Sequence, residues 1–128
     1  MARREQLNEY LLSYIGKPFI WGKTDCLRIA MDWAATQGKD YFQPYRDRYS
    51  TRLEAVKALR NAGYGTMEKY LDDCFKVTDK PQEGDLALFW NKKTVGIAGA
   101  FNVYFFDKKA MIVANYEDCS KFYRVDNG

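Results

Sequence analysis

The chain changes character at Lys80-Pro81-Gln82-Glu83-Gly84, and this change limits the folds open to it. Before this segment, apolar residues recur at the three-and-four spacing of amphipathic helices. After it come short β-branched and aromatic runs, which are typical of strands. Helices first and strands afterwards predict an α+β fold, with N-terminal helices packed on a C-terminal antiparallel sheet of about five strands. We interpret residues 1–128 as a single domain.

The local signals place four helices and the strands. The helices are predicted at residues 4–14, at residues 26–37, from the capping box Thr51–Glu54 to near Gly63, and after the cap Thr66. The second helix is apolar around most of its circumference, which indicates a central buried helix, and its N-cap is Thr24 or Asp25. The strands are predicted at residues 85–90, 95–101, 103–106, 111–116 and 122–125.

Cys26 stands at the start of the second predicted helix, in a chain that contains no histidine. A thiol attacks as its thiolate, and the positive end of a helix dipole lowers the pKa of a cysteine in the first turn. The position therefore suits a nucleophile. It also suits a core residue, because free cysteine is among the most buried residue types.

The other cysteines, Cys74 and Cys119, bring the total to three. Their spacing is not that of a metal site, and no histidine is present to complete one, so we predict no metal and no other cofactor. A disulfide is possible, but an odd number of cysteines without a signal peptide favours free thiols. We expect Cys74 and Cys119 to act as small apolar residues.

Several blocks of the sequence resemble the NlpC/P60 cysteine peptidases over about residues 7–125. The blocks are Gly16-Lys17-Pro18-Phe19-Ile20-Trp21-Gly22, Asp25-Cys26, Glu83-Gly84-Asp85-Leu86-Ala87-Leu88-Phe89 and Val95-Gly96-Ile97. With Asp40 and Arg48-Tyr49-Ser50-Thr51 added, the pattern more closely resembles a phage and prophage family of NlpC/P60-like domains, DUF6950, found among tail genes. The resemblance implies a papain-like core.

The same resemblance implies which residues would carry chemistry. Active members hydrolyse peptide bonds in bacterial cell-wall stems, with the cysteine of Asp-Cys as nucleophile and a histidine before Val-Gly-Ile as base. Cys26 lies on the nucleophile position and Thr94 on the histidine position. A threonine hydroxyl accepts no proton near neutral pH, and losing a general base costs about 10²- to 10⁴-fold in rate. Asp25 and Asp85 are the candidate substitute bases, although Asp25 also fits a helix cap and Asp85 a strand entry.

Aromatic and basic residues form a second candidate site. We take Phe19, Trp21, Tyr45, Arg48 and Tyr49 as candidate binding residues. Phe19 stands where many NlpC/P60 members have an active-site tyrosine. Aromatic faces next to arginines can hold a glycan, a stem peptide or a partner protein. The alternative is that the tyrosines pack a long loop onto the helices while the arginines stay solvated.

Charge and hydropathy limit the partners. The 20 lysines and arginines are scattered among 17 acidic residues, so we do not predict nucleic-acid binding. The sequence contains no 18-residue apolar run and no apolar segment behind its N-terminal arginines, which predicts neither a membrane span nor a signal peptide. The expected location is the virion tail, or the host cytoplasm during assembly.

Three functions are compatible with the sequence. The first is a non-catalytic or weakened phage domain acting in tail assembly, protein docking or cell-wall contact, with tail or other virion proteins and peptidoglycan as partners. The second is a cysteine peptidase or amidase acting on peptidoglycan stem peptides, with a base that is not histidine or that comes from a partner chain. The third is an intracellular interaction or inhibitor module.

Overall fold

The computed structural model describes residues 2–108 and 110–125, and these contain four helices followed by a six-stranded sheet. The helices are α1 (Arg3–Leu12), α2 (Cys26–Thr36), α3 (Arg52–Asn61) and α4 (Met67–Cys74). The strands are β1 (Val77–Thr78), β2 (Leu86–Phe89), β3 (Val95–Ala98), β4 (Val103–Phe106), β5 (Met111–Ala114) and β6 (Cys119–Tyr123). The predicted α+β class is confirmed. The predicted domain limits at 1 and 128 lie outside the described residues.

The sheet runs in the order β1-β6-β2-β3-β4-β5, and every neighbouring pair is antiparallel. It has one strand more than predicted, because the two residues of β1 pair with β6. The last strand also begins earlier than predicted, since its pairing with β2 continues past a bulge to Cys119. The third strand ends earlier, at Ala98, because Gly99 N–H donates to Asn102 O at 2.7 Å and closes the turn.

Helix α2 lies against one face of the sheet and carries the centre of the core, as its apolar sequence predicted. Trp33 is 1% exposed, and its indole Nε1–H donates to Gly84 O at 2.7 Å. Ile29 and Met31 are buried in the same cluster as Leu86 and Leu88 of β2. The N-terminus of α2 is therefore held at a fixed position relative to the sheet.

Helix α3 packs more loosely. Of its ten residues, all of them described, none is buried, and Ala55 and Leu59 are partly buried against the main core. It is followed by Gly63, whose φ of +98° suits glycine at the end of a helix. Among the described residues, no helix has the length and apolar character needed to cross a bilayer.

Candidate functional site

A cleft of about 600 Å³ opens at the N-terminus of α2. Cys26 and Leu27 line it from α2, while Val56 and Leu59 line it from α3. Met67, the first residue of α4, adds a further apolar side chain. Cys26 thus faces a cleft of the size that proteins use for small ligands and peptide side chains.

Asp25 is the N-cap of α2, which decides between the two caps predicted. Its Oδ1 accepts the N–H of Arg28 at 2.9 Å, and its Oδ2 accepts the N–H of Gly22 at 2.7 Å. The Tyr49 hydroxyl also donates to Asp25, at 2.9 Å to Oδ2. The carboxylate is 1% exposed. Both oxygens are therefore engaged in holding the loop that contains Tyr49 against the start of α2.

The structure explains why the block before Cys26 has a glycine at position 22. Its φ is +85°, and a Cβ at this position would lie 2.1 Å from Tyr49 O. Only glycine accommodates this conformation and this close approach of the two backbones. The glycine and the aspartate of the block therefore fix the same neighbour, Tyr49.

Cys26 is a half-buried residue, and the pKa of its thiol is shifted in the opposite direction from the one predicted. Burial raises the pKa to about 11, a backbone hydrogen bond from Val95 opposes this rise, and the charge of Asp25 adds to it. The loss of hydration thus outweighs the effect of the helix N-terminus. At neutral pH the thiol keeps its proton.

Thr94 stands at the position that the resemblance implies for the base. The next residue, Val95, forms a backbone hydrogen bond to the Cys26 sulfur. The structure therefore brings this position to the neighbourhood of the thiol. Thr94 is partly buried, and its carbonyl accepts the N–H of Phe89 at 2.9 Å in the turn between β2 and β3. The position holds a neutral hydroxyl instead of a basic group.

Asp85, the other candidate base, is fully buried at the entry to β2. It accepts backbone N–H groups from Gln82 at 2.8 Å and Val125 at 2.9 Å. Its carboxylate also lies 3.2 Å from Arg124 Nε and 3.7 Å from an Arg3 Nη2. The described residues that line the cleft do not include Asp85. This carboxylate therefore links Arg3, Arg124 and Val125 to the start of β2.

The candidate binding residues are divided between several places. Trp21 and Tyr49 line the Cys26 cleft. Phe19 packs edge-on against Trp21, with ring centroids 5.1 Å apart, and lines a separate cavity of about 530 Å³. Tyr45 packs against Tyr70 at 5.6 Å, and Arg48 is exposed. Neither Tyr45 nor Arg48 is among the described residues that line the Cys26 cleft.

The arginine-rich loop is only partly solvated. Arg46 is ion-paired with Asp32 at 3.0 Å and with Asp40 at 3.0 Å. The pair with Asp32 holds the loop against α2. Burial raises the pKa of the Tyr49 hydroxyl well above its ordinary range. The packing role of the alternative therefore applies to Tyr49, whereas Arg46 is ion-paired and does not stay solvated as that alternative expected.

The rim of the cleft is basic, a feature that the sequence analysis missed. Its cations are Arg52 and Arg60 of α3 and the turn residues Lys92 and Lys93. Lys92 lies 3.5 Å from Glu68. Within the described part of the chain, the side chains of Arg52, Arg60 and Lys93 have no ion pair or hydrogen bond. The signal was the helical spacing that puts Arg52, Val56 and Leu59 on one face of α3.

The three thiols, all within the described residues, are free. No group of three or more cysteine, aspartate or glutamate side chains in residues 2–108 and 110–125 is arranged to hold a metal ion. The chemistry available at the cleft is therefore that of a protonated thiol, apolar walls and a cationic rim, together with the carboxylate of Glu68, which is ion-paired with Lys92 and Lys121.

Comparison with protein families matches residues 1–125 to the family described as Domain of unknown function (DUF6950). No curated protein and no solved structure matches the chain.

Proposed function

Since the chain belongs to the DUF6950 family, we propose that it is a non-catalytic NlpC/P60-like domain with a papain-like core, which binds a partner through the Cys26 cleft. We place it in a phage virion, where it acts in tail assembly, protein docking or cell-wall contact. The relationship to NlpC/P60 proteins rests on the motifs of the sequence, and the order of helices and antiparallel strands is compatible with it.

The observation that carries this proposal is a thiol without a base. Cys26 keeps the position of a nucleophile, but burial raises its pKa to about 11. Its neighbourhood contains Thr94 in place of a histidine, and the chain has no histidine at all. Thiol attack on an amide needs a thiolate and then an acid that protonates the leaving amine. Neither condition is met by these side chains.

The two carboxylates do not replace the base. Asp25 is bound by two backbone N–H groups and by the Tyr49 hydroxyl, and Asp85 is bound by two arginines. A proton transferred to either would weaken the contacts that hold the fold. A peptidase or amidase acting on stem peptides would therefore need a base from a partner chain.

Purified peptidoglycan tests the absence of catalysis. The protein and its Cys26→Ala variant are incubated with peptidoglycan, and soluble stem peptides are measured by mass spectrometry. We expect no release above the buffer blank from either protein. Release by the native protein that disappears in Cys26→Ala would overturn the proposal, and release that also needs a neighbouring tail protein would identify a base supplied in trans.

The state of the thiol is tested by its reactivity. In a chain carrying Cys74→Ser and Cys119→Ser, Cys26 is the remaining thiol, and its alkylation rate is followed against pH. We expect a midpoint at about 11. A midpoint at or below that of a free thiol, about 8.5, would show an activated cysteine and contradict the proposal.

The location is tested separately by mass spectrometry of purified virions. The proposal expects the chain among the tail proteins. Its absence from intact particles would reject the virion assignment and favour an intracellular interaction module.

A further inference from the structure

We propose that the Cys26 cleft binds an acidic polypeptide segment, with one apolar side chain of the segment inserted between α3 and the start of α4. This inference rests on the proposed function in taking the cleft as a binding site, and it names the chemistry of the partner.

The unpaired cations at the rim carry the first part of the argument. Among the other arginines, all but the exposed Arg48 are matched to carboxylates: Arg28 lies 2.8 Å from Asp32, and Arg46 lies 3.0 Å from Asp40. At the cleft, Arg52 and Arg60 have no such partner within the described residues. A guanidinium group binds a carboxylate through two parallel hydrogen bonds, so two free arginines on one rim favour an anionic partner.

The apolar wall of the Cys26 cleft is the second observation that supports a polypeptide ligand. Val56, Leu59 and Met67 line the space behind the basic rim. Aliphatic and thioether side chains suit a leucine-like anchor, and methionine adapts to its shape. Val56 lies between Arg52 and Arg60 on one face of α3, so this helix presents the anchor site and both charges to the same ligand.

The aromatic residues of the cleft favour a peptide over a nucleic acid. Trp21 packs edge-on against Phe19, and the Tyr49 hydroxyl is bound to the buried Asp25. Single-stranded nucleic acids bind by stacking bases on accessible aromatic faces along a basic groove. Tyr64 also lines the cleft, and its ring packs against that of Tyr70 with centroids 5.3 Å apart. All three rings are held by the fold, and the cations lie beside aliphatic side chains.

Binding is tested with labelled synthetic peptides. Fluorescein-labelled Glu-Asp-Leu-Glu-Asp is compared with Gln-Asn-Leu-Gln-Asn by fluorescence anisotropy against the full chain. We expect the acidic peptide to bind at least about tenfold more tightly and to lose affinity as salt rises from about 0.05 to 0.5 M. Equal affinity for the two peptides, or no saturation by the acidic peptide at about millimolar concentration, would overturn the inference.

The site is tested by charge reversal with a matched control. Arg52→Glu combined with Arg60→Glu should weaken the acidic peptide by about tenfold or more. Lys57→Glu is the control, because Lys57 is exposed on the same helix and the described lining of the cleft does not include it. We expect Lys57→Glu to change the affinity by less than about twofold. Equal losses in both variants would show a non-specific charge effect and reject the cleft.

Cys26 reports occupancy of the cleft. In the chain with Cys26 as its remaining thiol, saturating acidic peptide should slow alkylation at about pH 9 severalfold. An unchanged rate would place the peptide elsewhere. Tighter binding of a purified stem peptide or of oligothymidylate would assign the cleft to peptidoglycan or nucleic acid instead.

The two proposals fail separately. Stem-peptide hydrolysis that depends on Cys26 would remove the non-catalytic function while leaving the charge dependence of peptide binding to be measured in Cys26→Ser. Loss of the charge dependence would remove the acidic partner alone.

Discussion

Helices α2 and α3 bound the same cleft, but they are attached to the fold in different ways. Six residues of α2 are buried, and Trp33 joins the helix to the sheet through Gly84. In α3, which is described throughout, no residue is buried. Local stability follows buried apolar contact, so the cleft has one wall that belongs to the core and one wall that opens at lower cost.

The caps of the two helices show the same difference. Asp25, at the start of α2, binds two N–H groups and the distant Tyr49 hydroxyl, and it is 1% exposed. Thr51, at the start of α3, is exposed and accepts the N–H of Glu54 at 3.1 Å. One cap joins separate parts of the chain, and the other closes a local turn. A ligand that adjusts the cleft would therefore move α3.

The largest expected effect is that of Trp33→Ala in α2. The variant removes a buried indole and its hydrogen bond to Gly84 O, so we expect the free energy of unfolding to fall by about 4 kcal/mol. Urea denaturation followed by circular dichroism measures the loss. Leu53→Ala in α3, where the side chain is 62% exposed, is the control and should cost less than about 0.5 kcal/mol. Similar losses in both variants would contradict the contrast between the helices.

Asp25→Ala should have the next largest effect, a loss of about 3 kcal/mol. The variant leaves the buried N–H of Gly22 and the Tyr49 hydroxyl without their partner, and it removes the cap of α2. Tyr49→Phe removes one of these bonds and should cost about 1 kcal/mol. Because the charge of Asp25 raises the pKa of Cys26, the alkylation midpoint of Cys26 should also fall in Asp25→Ala. An unchanged midpoint would mean that burial alone sets the thiol's pKa.

Local patterns were enough to predict much of this fold. Helix α2 was predicted as the buried helix because its residues are apolar on most sides, and the caps Thr51 and Thr66 follow from local hydrogen bonds within one turn. Strand β1 could not be predicted in this way, because its two residues are a strand only through pairing with β6. Short strands depend on partners distant in the sequence.

The site was less predictable than the fold. The sequence identified Cys26 and its cap but predicted the wrong direction for the thiol's pKa, because dehydration depends on the sheet and loops that surround the helix. The roles of Arg52 and Arg60 also needed the tertiary structure. Their helical spacing was visible, whereas the absence of acidic partners depends on which elements face α3.

Thr51→Ala should have a smaller effect than Asp25→Ala, a loss of about 1 kcal/mol. The cap bond is exposed, and water replaces it at the N–H of Glu54. The measurement that sharpens the comparison is native-state amide hydrogen exchange. We expect amides of α3 to exchange faster than those of α2 in the native protein, and Thr51→Ala to accelerate α3 alone. Acceleration of α2 by the same factor would show that the two walls open together.

The smallest effect at neutral pH is expected from the residue that begins α2. Cys26→Ser, made in the chain with Cys74→Ser and Cys119→Ser, should change the free energy of unfolding by less than about 1 kcal/mol at pH 7, where the thiol is protonated in both states.

At alkaline pH the free energies of unfolding of the chain with Cys26 and the chain with Cys26→Ser should diverge. The unfolded thiol loses its proton at about pH 8.5, whereas the folded thiol keeps its proton to about pH 11. The folded state therefore binds more protons in this interval, and the stability that Cys26 contributes is lost as pH rises through it. Urea denaturation at intervals between pH 7 and about 11 should show a steeper decline with Cys26 than with serine, while the tyrosines and lysines titrate alike in both chains. Parallel curves would mean that the thiol ionises equally in both states. The start of α2 would then be as open to water as the start of α3.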